Sequence, residues 1–361
     1  MIKAPLRKAG QYFLVHCPGA AHRLAALRGW LRFSLQSGQR DNLAENLQAA
    51  FPLKSPAQIR RHCRDWFVIN EQNRQNQSRL ELLNGPRLQA ALARIEIRGG
   101  SHIAQACRDR RPVILVTPHY GNYMLGALRV AADYAAQGVY FFYNPPERNA
   151  YAETSNRLLE RPASNCHKIY NNAHGLKTAL KVLRRGGTLC MMPDLISVTA
   201  SAIYVPFFGR FFTAMSGIAF LALRTNALVI PCYSYTGRGG RPLLEFRPPL
   251  PVPADARTSP GDLSYMITAL LFKELERQIT DHPAHWRYWH IYNKRSIPFL
   301  TPPSSIPDLV GQLRQASAFV APDPSLTELV RKWLHLLESP QAIPGCARTA
   351  LADDSSVALP G

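Results

Sequence analysis

The sequence has few acidic residues and no long apolar run. Its 361 residues hold 24 Asp and Glu against 43 Lys and Arg, so the formal net charge is +19. The first acidic residue is Asp41. No stretch reaches the roughly 20 apolar residues of a membrane-spanning helix, and the pattern of a cleavable secretory signal is missing as well. We therefore expect no transmembrane segment.

Paired cysteines, metal-ligand spacings and phosphate-binding loops are missing too. The seven cysteines are scattered and none stands in a C-x-x-C pair, which disfavours a disulfide framework or a zinc ribbon. No carboxylate or thiolate stands at metal-ligand spacing from His282, His285 or His290. The Gly-Arg-Gly-Gly run at 237–240 lacks Walker spacing and is typical of a hairpin turn. These absences favour a protein of a reducing, cytoplasmic environment without a metal centre.

The excess of positive charge points to an anionic partner. Basic residues are spread over every predicted helix instead of gathering with stacking aromatics on one motif, which disfavours nucleic acid. Within residues 1–40, Leu24, Leu27, Leu31 and Leu35 recur at helical spacing, and arginines lie off that stripe. This pattern is typical of an amphipathic helix at an anionic membrane surface. The alternative is a surface helix that packs its leucines on the core.

From about residue 95 the sequence alternates between short β-rich runs and helical patterns. Predicted strands cover 95–98, 112–117, 139–143, 167–170, 188–192, 228–235 and 243–252, and predicted helices cover 121–136, 149–159, 173–184, 213–225 and 262–279. The alternation predicts an α/β fold with a mixed, mostly parallel sheet flanked by helices, preceded by an N-terminal helical region. We expect three parts: a basic membrane-associating segment (1–40), one main domain (41–298), and a C-terminal extension with one helix and a disordered tail (299–361).

His119 is the strongest candidate for catalysis. It follows the apolar strand at 112–117 and precedes Gly121 and Asn122, which open a helix. Open α/β sheets bind ligands at the carboxyl ends of their strands, so a histidine at this position suits a general base. Asp194 also follows a predicted strand and is expected to face the same crevice.

Four phenylalanines, at 207, 208, 211 and 212, surround a Gly-Arg turn at 209–210. Such residues ordinarily belong to the core. Because they flank a Gly-Arg turn, we expect them to be more exposed than a core cluster. This position suggests an acyl-chain slot or a loop that dips into a membrane.

Taken in order, these pieces resemble the lipid A biosynthesis acyltransferases, the late lauroyl and myristoyl transferases of the lysophospholipid acyltransferase superfamily. The resemblance runs from about residue 42 to 295. The matching pieces, which are specific in their order and spacing together, include Ala50-Phe51-Pro52, His119-Tyr-Gly-Asn122, Tyr143-Asn-Pro with Arg157 downstream, Pro193-Asp194, Val205-Pro-Phe-Phe-Gly209-Arg210 and the stretch 222–231.

The resemblance implies that residues 41–298 form an acyltransferase domain. Its reaction would move a fatty acyl group from an acyl carrier protein or coenzyme A thioester to a hydroxyl or amine of a membrane lipid or lipid-like acceptor, without metal or organic cofactor. The enzyme would lie on the cytoplasmic face of the inner membrane, as a peripheral or monotopic protein.

The resemblance also implies roles for individual residues. His119 would be the general base, Arg157 would neutralise a phosphate or the developing oxyanion, and Asp194 would organise the site. We expect further substrate contacts from the residues near these three, namely Asn122, Met124, Glu147, Phe208, Gly209 and Arg210.

Met124 departs from the family pattern, in which an acid stands five positions after the histidine. A thioether can neither orient an imidazole nor balance its charge, and three explanations stay open. Another carboxylate, from Glu147, Glu153 or Asp194, takes the place of the acid. An amine or thiol acceptor needs less base catalysis. Or the protein is a catalytically inactive homologue that binds acyl chains or lipids.

Overall fold

The fold is known from a computed structural model that describes residues 3–134, 138–143, 159, 166–194, 202–237, 241–251 and 260–296, with single positions at 311, 314, 331 and 335. The predicted helix at 149–159, except its last residue, and nearly all of the predicted C-terminal extension lie outside the described residues. None of the described helices combines the length and the apolarity needed to cross a membrane.

The described strands form one mixed sheet and a separate hairpin. The strands are β1 (Glu96–Arg98), β2 (Val113–Val116), β3 (Val139–Tyr143), β4 (Cys166–Tyr170), β5 (Thr188–Met191), β6 (Ala202–Phe207), β7 (Arg210–Met215), β8 (Leu228–Thr236) and β9 (Pro242–Phe246). The sheet has the order β1-β9-β8-β2-β5-β3-β4, and all neighbouring pairs are parallel except β8 and β9. The predicted α/β fold is therefore confirmed.

Helices precede the sheet and connect its strands. The N-terminal helical region is confirmed, and α4 begins where Ser55 accepts a hydrogen bond from Gln58 in a capping box. The described helices are α1 (Lys3–His16), α2 (Pro18–Leu35), α3 (Ser37–Ala50), α4 (Pro56–Leu82), α5 (Gly85–Ala93), α6 (Gly100–Arg108), α7 (Tyr123–Asp133), α8 (Ala173–Arg184), α9 (Gly217–Thr225) and α10 (Pro260–Asp281). Short 3₁₀ turns follow at Pro283–His285, Arg287–Ile291 and Asn293–Arg295.

Strand β2 shows why the sheet is buried on both faces. Successive side chains of a strand point to opposite faces. Val113 and Leu115 belong to an apolar cluster with α5, α6 and α7, whereas Ile114 and Val116 belong to another cluster with α8 and α9. All four residues are buried, which explains the continuous apolar run in the sequence.

The four phenylalanines lie on the β6–β7 hairpin, and the expectation that they are exposed is wrong. Phe207, Phe208, Phe211 and Phe212 are at most 5% exposed. They pack among aromatic residues that are distant in sequence, namely Phe51, Phe272, Trp286, Trp289 and Tyr292. The hairpin also corrects the predicted helix at 213–225, because the chain stays extended as far as Met215 and the helix begins at Gly217.

Helix α2 packs Ala21, Ala25, Gly29 and Phe33 on the protein. Gly29 lies so close to α4 that a β-carbon there would come within 2.5 Å of the Cα atom of Val68. On the outer face, Leu24, Leu27 and Leu31 are 41–51% exposed and Leu35 is 78% exposed. The leucine stripe therefore lies on the more exposed face of α2.

Candidate active site

The site begins in the turn between β2 and α7. Gly121 has a φ of +56°, and a β-carbon on it would lie 2.1 Å from the carbonyl oxygen of Ser234, so the turn requires glycine. Asn122 then caps α7, because its side-chain oxygen accepts a hydrogen bond from the backbone N–H of Leu125 at 3.2 Å. The turn fixes His119 at the carboxyl end of a buried strand.

Asp194 reaches His119 from the neighbouring strand. Strands β2 and β5 are parallel and adjacent, with Val116 opposite Met191, so the residues that follow them meet at one edge of the sheet. The Nδ1 atom of His119 lies 2.9 Å from Oδ1 of Asp194. The carboxylate is fully buried, whereas the His119 side chain is 11% exposed. The structure therefore places the two side chains in contact at one edge of the sheet.

Two further donors hold the Asp194 carboxylate. Its Oδ2 atom accepts a hydrogen bond from the backbone N–H of His119 at 2.9 Å and another from the indole N–H of Trp286 at 3.0 Å. The carbonyl of Trp286 in turn accepts a hydrogen bond from the indole of Trp66 at 2.9 Å. Buried carboxylates are tolerated when such donors satisfy them, and these donors fix the orientation of Asp194.

The segment 283–288 pairs with the histidine turn. The N–H of Gly121 donates to the carbonyl of His285 at 2.8 Å, and the N–H of Arg287 donates to the carbonyl of His119 at 3.0 Å. Tyr120 and Trp286 form an isolated antiparallel bridge between these two contacts. The turn is therefore held on both sides, by the sheet and by this late segment.

Two tyrosine rings lie beside the imidazole of His119, and one of them accepts a hydrogen bond from an arginine. The rings of Tyr123 and Tyr288 lie 5.2 and 4.7 Å from the imidazole ring, centroid to centroid. Burial, with smaller contributions from Asp194 and Tyr123, raises the pKa of the Tyr288 hydroxyl. The guanidinium of Arg287 donates to the hydroxyl of Tyr123 at 3.4 Å. No described residue makes a hydrogen bond to Nε2 of His119.

The other predicted site residues that the structure describes lie in different parts of the fold. Met124 is buried in the apolar cluster of α7 and β2, and Asn122 is a helix cap. Phe208 is in the aromatic core, and Arg210 donates to the side-chain oxygen of Asn293 at 3.1 Å. Gly209 has a φ of +71° in the hairpin turn, and Glu147, Glu153 and Arg157 lie outside the described residues. The structure brings together His119 and Asp194, and substrate binding by the other residues stays a prediction.

Sequence reasoning missed Tyr123, Trp286, Arg287 and Tyr288 as site residues. The Trp-rich basic run that begins at Trp286 was the available signal. It could not be placed from the sequence, because 92 positions separate Trp286 from Asp194.

This chain is similar to known proteins over the region that contains the site. The family model described as bacterial lipid A biosynthesis acyltransferase matches residues 12–294. The chain is also similar to a protein of Haemophilus influenzae named lipid A biosynthesis acyltransferase, with 23% identity over 249 residues, which are 69% of this chain and 73% of the relative. The family match includes β2, the histidine turn, Asp194 and the segment 283–288.

Proposed function

This chain belongs to the bacterial lipid A biosynthesis acyltransferase family, and on that premise we propose that it transfers a fatty acyl group from a thioester to a hydroxyl or amine of a lipid-like acceptor. The resemblance stated from the sequence is confirmed at the level of the family. The observation that carries the proposed chemistry is the contact between His119 and Asp194, which prepares an imidazole for proton transfer.

His119 acts as the general base through Nε2. Because Nδ1 faces a carboxylate, the proton of the neutral ring resides on Nδ1 and leaves a lone pair on Nε2. Nε2 removes the proton of the acceptor hydroxyl while its oxygen attacks the thioester carbonyl. The C–S bond then breaks, the departing sulfur takes the proton from the imidazolium, and an ester and a thiol result. The reaction balances with donor and acceptor alone, so the proposal includes no cofactor.

Asp194 supplies the carboxylate that Met124 lacks. Of the three explanations left open by the sequence, the geometry favours a substitute carboxylate. Asp194 contacts Nδ1, where an acid can orient the ring and stabilise the imidazolium. A role for Arg157 in stabilising the oxyanion rests on the resemblance. The same contact favours an enzyme over the alternative, an inactive acyl- or lipid-binding homologue.

We propose an acyl carrier protein or coenzyme A thioester as donor, and the cytoplasmic face of the inner membrane as the place of reaction. Support for the membrane comes from α2, which turns Leu24, Leu27, Leu31 and Leu35 to solvent while Arg28 lies beside them. A net charge of +19 favours an anionic lipid surface and an acidic carrier protein.

The test is transfer of a labelled acyl group from acyl carrier protein or coenzyme A to lipid acceptors in detergent. Wild type should form product, and His119→Ala should lower turnover roughly 10²- to 10⁴-fold. His174→Ala is the matched control, since His174 is exposed on α8. Acyl-chain binding without product in the wild type would support the inactive homologue, and equal turnover in His119→Ala would refute the role of His119.

A further inference from the structure

A groove lies on the protein surface between α2 and the first turns of α4, and we call it the α2–α4 groove. It encloses about 300 Å³ and is lined by Trp30, Phe33, Ala57, Arg60, Arg61 and Arg64. Among the residues that the structure describes, no acidic side chain lines it, and its three arginines are exposed. The α2–α4 groove is therefore an open hollow with positive charge along the wall that α4 provides.

The charge of these arginines is available to a ligand. The Cζ atom of Arg60 lies 5.5 Å from the centroid of the Phe33 ring, a cation–π contact that holds the guanidinium at the groove. In the described part of the chain, no carboxylate forms an ion pair with Arg60 or Arg61. Arg64 contacts its neighbour Asp65, with 2.9 Å between Nη2 and Oδ1, but both side chains are exposed and water screens such a pair.

Trp30 joins the α2–α4 groove to the leucine stripe of α2. It is 49% exposed, lies three positions after Leu27 and directly precedes Leu31. Residues three positions apart are neighbours on a helix surface, so Trp30 stands beside the stripe. Tryptophan favours the boundary between lipid headgroups and hydrocarbon. A membrane that takes up the leucine stripe therefore brings its headgroups to the level of the groove.

Charge and size favour a lipid headgroup as the occupant. Guanidinium groups match the oxygens of a phosphate, and clusters of basic residues attract anionic phospholipids. A volume of about 300 Å³ is at the lower end of the range for small-ligand sites, so it suits a headgroup and leaves the acyl chains outside. Trp30 and the exposed leucines offer those chains an apolar surface, which an acidic protein partner does not need.

We propose that the α2–α4 groove binds the phosphate of an anionic membrane phospholipid, which is a bound partner and not a substrate. This inference rests on the proposed location at the membrane, and it adds a specific headgroup site to the leucine stripe. The leucines supply affinity for hydrocarbon, whereas the headgroup in the groove fixes the rotation of α2 about its axis at the membrane surface.

The experiment titrates the full chain with short-chain phospholipids below their micelle-forming concentration and measures the heat of binding. The probes are dihexanoyl phosphatidylglycerol, which is anionic, and dihexanoyl phosphatidylcholine, which has no net charge. Inorganic phosphate is a third probe, which carries the anion without a lipid. The arginine variant combines Arg60→Gln, Arg61→Gln and Arg64→Gln.

Two further variants separate a site from general attraction by charge. Ala57→Phe fills the hollow and leaves the charge unchanged, because Ala57 is exposed and lines the groove. The matched control combines Lys177→Gln, Lys181→Gln and Arg184→Gln, since these residues are exposed on α8 and their replacement removes the same charge as the arginine variant. Thermal unfolding checks that every variant is folded.

Wild type should bind phosphatidylglycerol at one site, at least roughly tenfold more tightly than phosphatidylcholine or inorganic phosphate. The arginine variant and Ala57→Phe should lose this preference, and the α8 control should keep it. The proposal is overturned if wild type shows no preference, if inorganic phosphate binds as tightly as the lipid, or if the α8 control loses as much as the arginine variant. Full binding by Ala57→Phe also overturns it, because the groove is then not the site.

Transfer assays separate this proposal from docking of a carrier protein and from the proposed function. If the arginine variant loses transfer from acyl carrier protein but keeps transfer from coenzyme A and binding of phosphatidylglycerol, the groove docks the acidic carrier protein and the lipid assignment is wrong. Wild type that prefers phosphatidylglycerol without transferring an acyl group refutes the proposed function alone. Transfer without this lipid preference refutes only the headgroup site.

Discussion

The Nδ1 atom of His119 lies 2.9 Å from Oδ1 of Asp194, although the two residues are 75 positions apart in the sequence. Each follows a parallel strand, and these strands are neighbours in the sheet. The pair therefore occupies the edge where open α/β sheets bind ligands. A carboxylate thus contacts the histidine although this chain has Met124 at the position, five residues after the histidine, where the family pattern has an acid.

Asp194→Asn should lower turnover by roughly 10²- to 10⁴-fold. The amide cannot stabilise the imidazolium, and it favours the ring tautomer that lacks the base lone pair on Nε2. Steady-state transfer kinetics check this, with thermal unfolding measured beside them because Asp194 is buried. If Asp194→Asn folds and turns over like wild type while His119→Ala is inactive, the couple is not the catalytic unit.

Trp286→Phe should lower kcat/KM roughly tenfold, because loss of the indole N–H removes one of the donors that orient the Asp194 carboxylate beside His119. Steady-state transfer kinetics measure the change. Trp289→Phe is the control, since Trp289 is also fully buried and donates instead to the carbonyl of Pro283. An equal loss in both variants would show that loosened packing, not the lost donor, causes the effect.

Met124→Glu should lower the free energy of unfolding by several kcal/mol and should not raise activity. Met124 is 4% exposed in an apolar cluster, where a carboxylate finds no partner. Met124→Leu preserves volume and should cost less than about 1.5 kcal/mol. Urea unfolding and transfer assays check both variants. A stable, more active Met124→Glu would mean that the site lacks an acid and that Asp194 does not replace it.

The double substitution Leu27→Gln with Leu31→Gln should weaken binding to vesicles containing phosphatidylglycerol at least roughly tenfold, because burial of each leucine contributes about 1.5–3 kcal/mol. Both side chains are exposed on α2, so the fold should tolerate the change. Leu176→Gln serves as control, since Leu176 is exposed on α8. Vesicle sedimentation measures the binding. Unchanged binding would show that the leucine stripe is not the membrane contact.

His285→Phe should reduce the loss of stability between pH 6.5 and pH 4. Burial, and to a smaller extent the charge of His282, lowers the pKa of His285 to about 3. In this range the unfolded chain binds a proton that the folded chain does not. The free energy of unfolding therefore decreases as the pH is lowered, by up to about 1.4 kcal/mol per pH unit. Phenylalanine keeps the ring contacts with Tyr120 and Tyr235 and cannot titrate.

Urea unfolding across this pH range checks the His285 prediction. His174→Phe, at an exposed position, should leave the slope unchanged. An identical slope in wild type and His285→Phe would mean that His285 is protonated in the folded protein.

Much of the sheet could be predicted because strand periodicity is local. The predicted strand at 139–143 and the helix at 173–184 have the observed bounds. The β6–β7 hairpin was missed because its residues are apolar on both faces and therefore lack the alternation of a half-buried strand. Its burial depends on aromatic residues near the end of the described chain.

The α/β fold, the family, and the position of His119 at the end of a buried strand can be read from the order of the amino acids. These follow from local periodicity and from motifs that are contiguous in the chain. The folded chain alone shows that Asp194 contacts His119, that Trp286 donates to Asp194, and that Arg287 pairs with the histidine turn. Those contacts join residues from separate strands and a late segment, and a parallel sheet sets such neighbours by strand order, which local sequence does not encode.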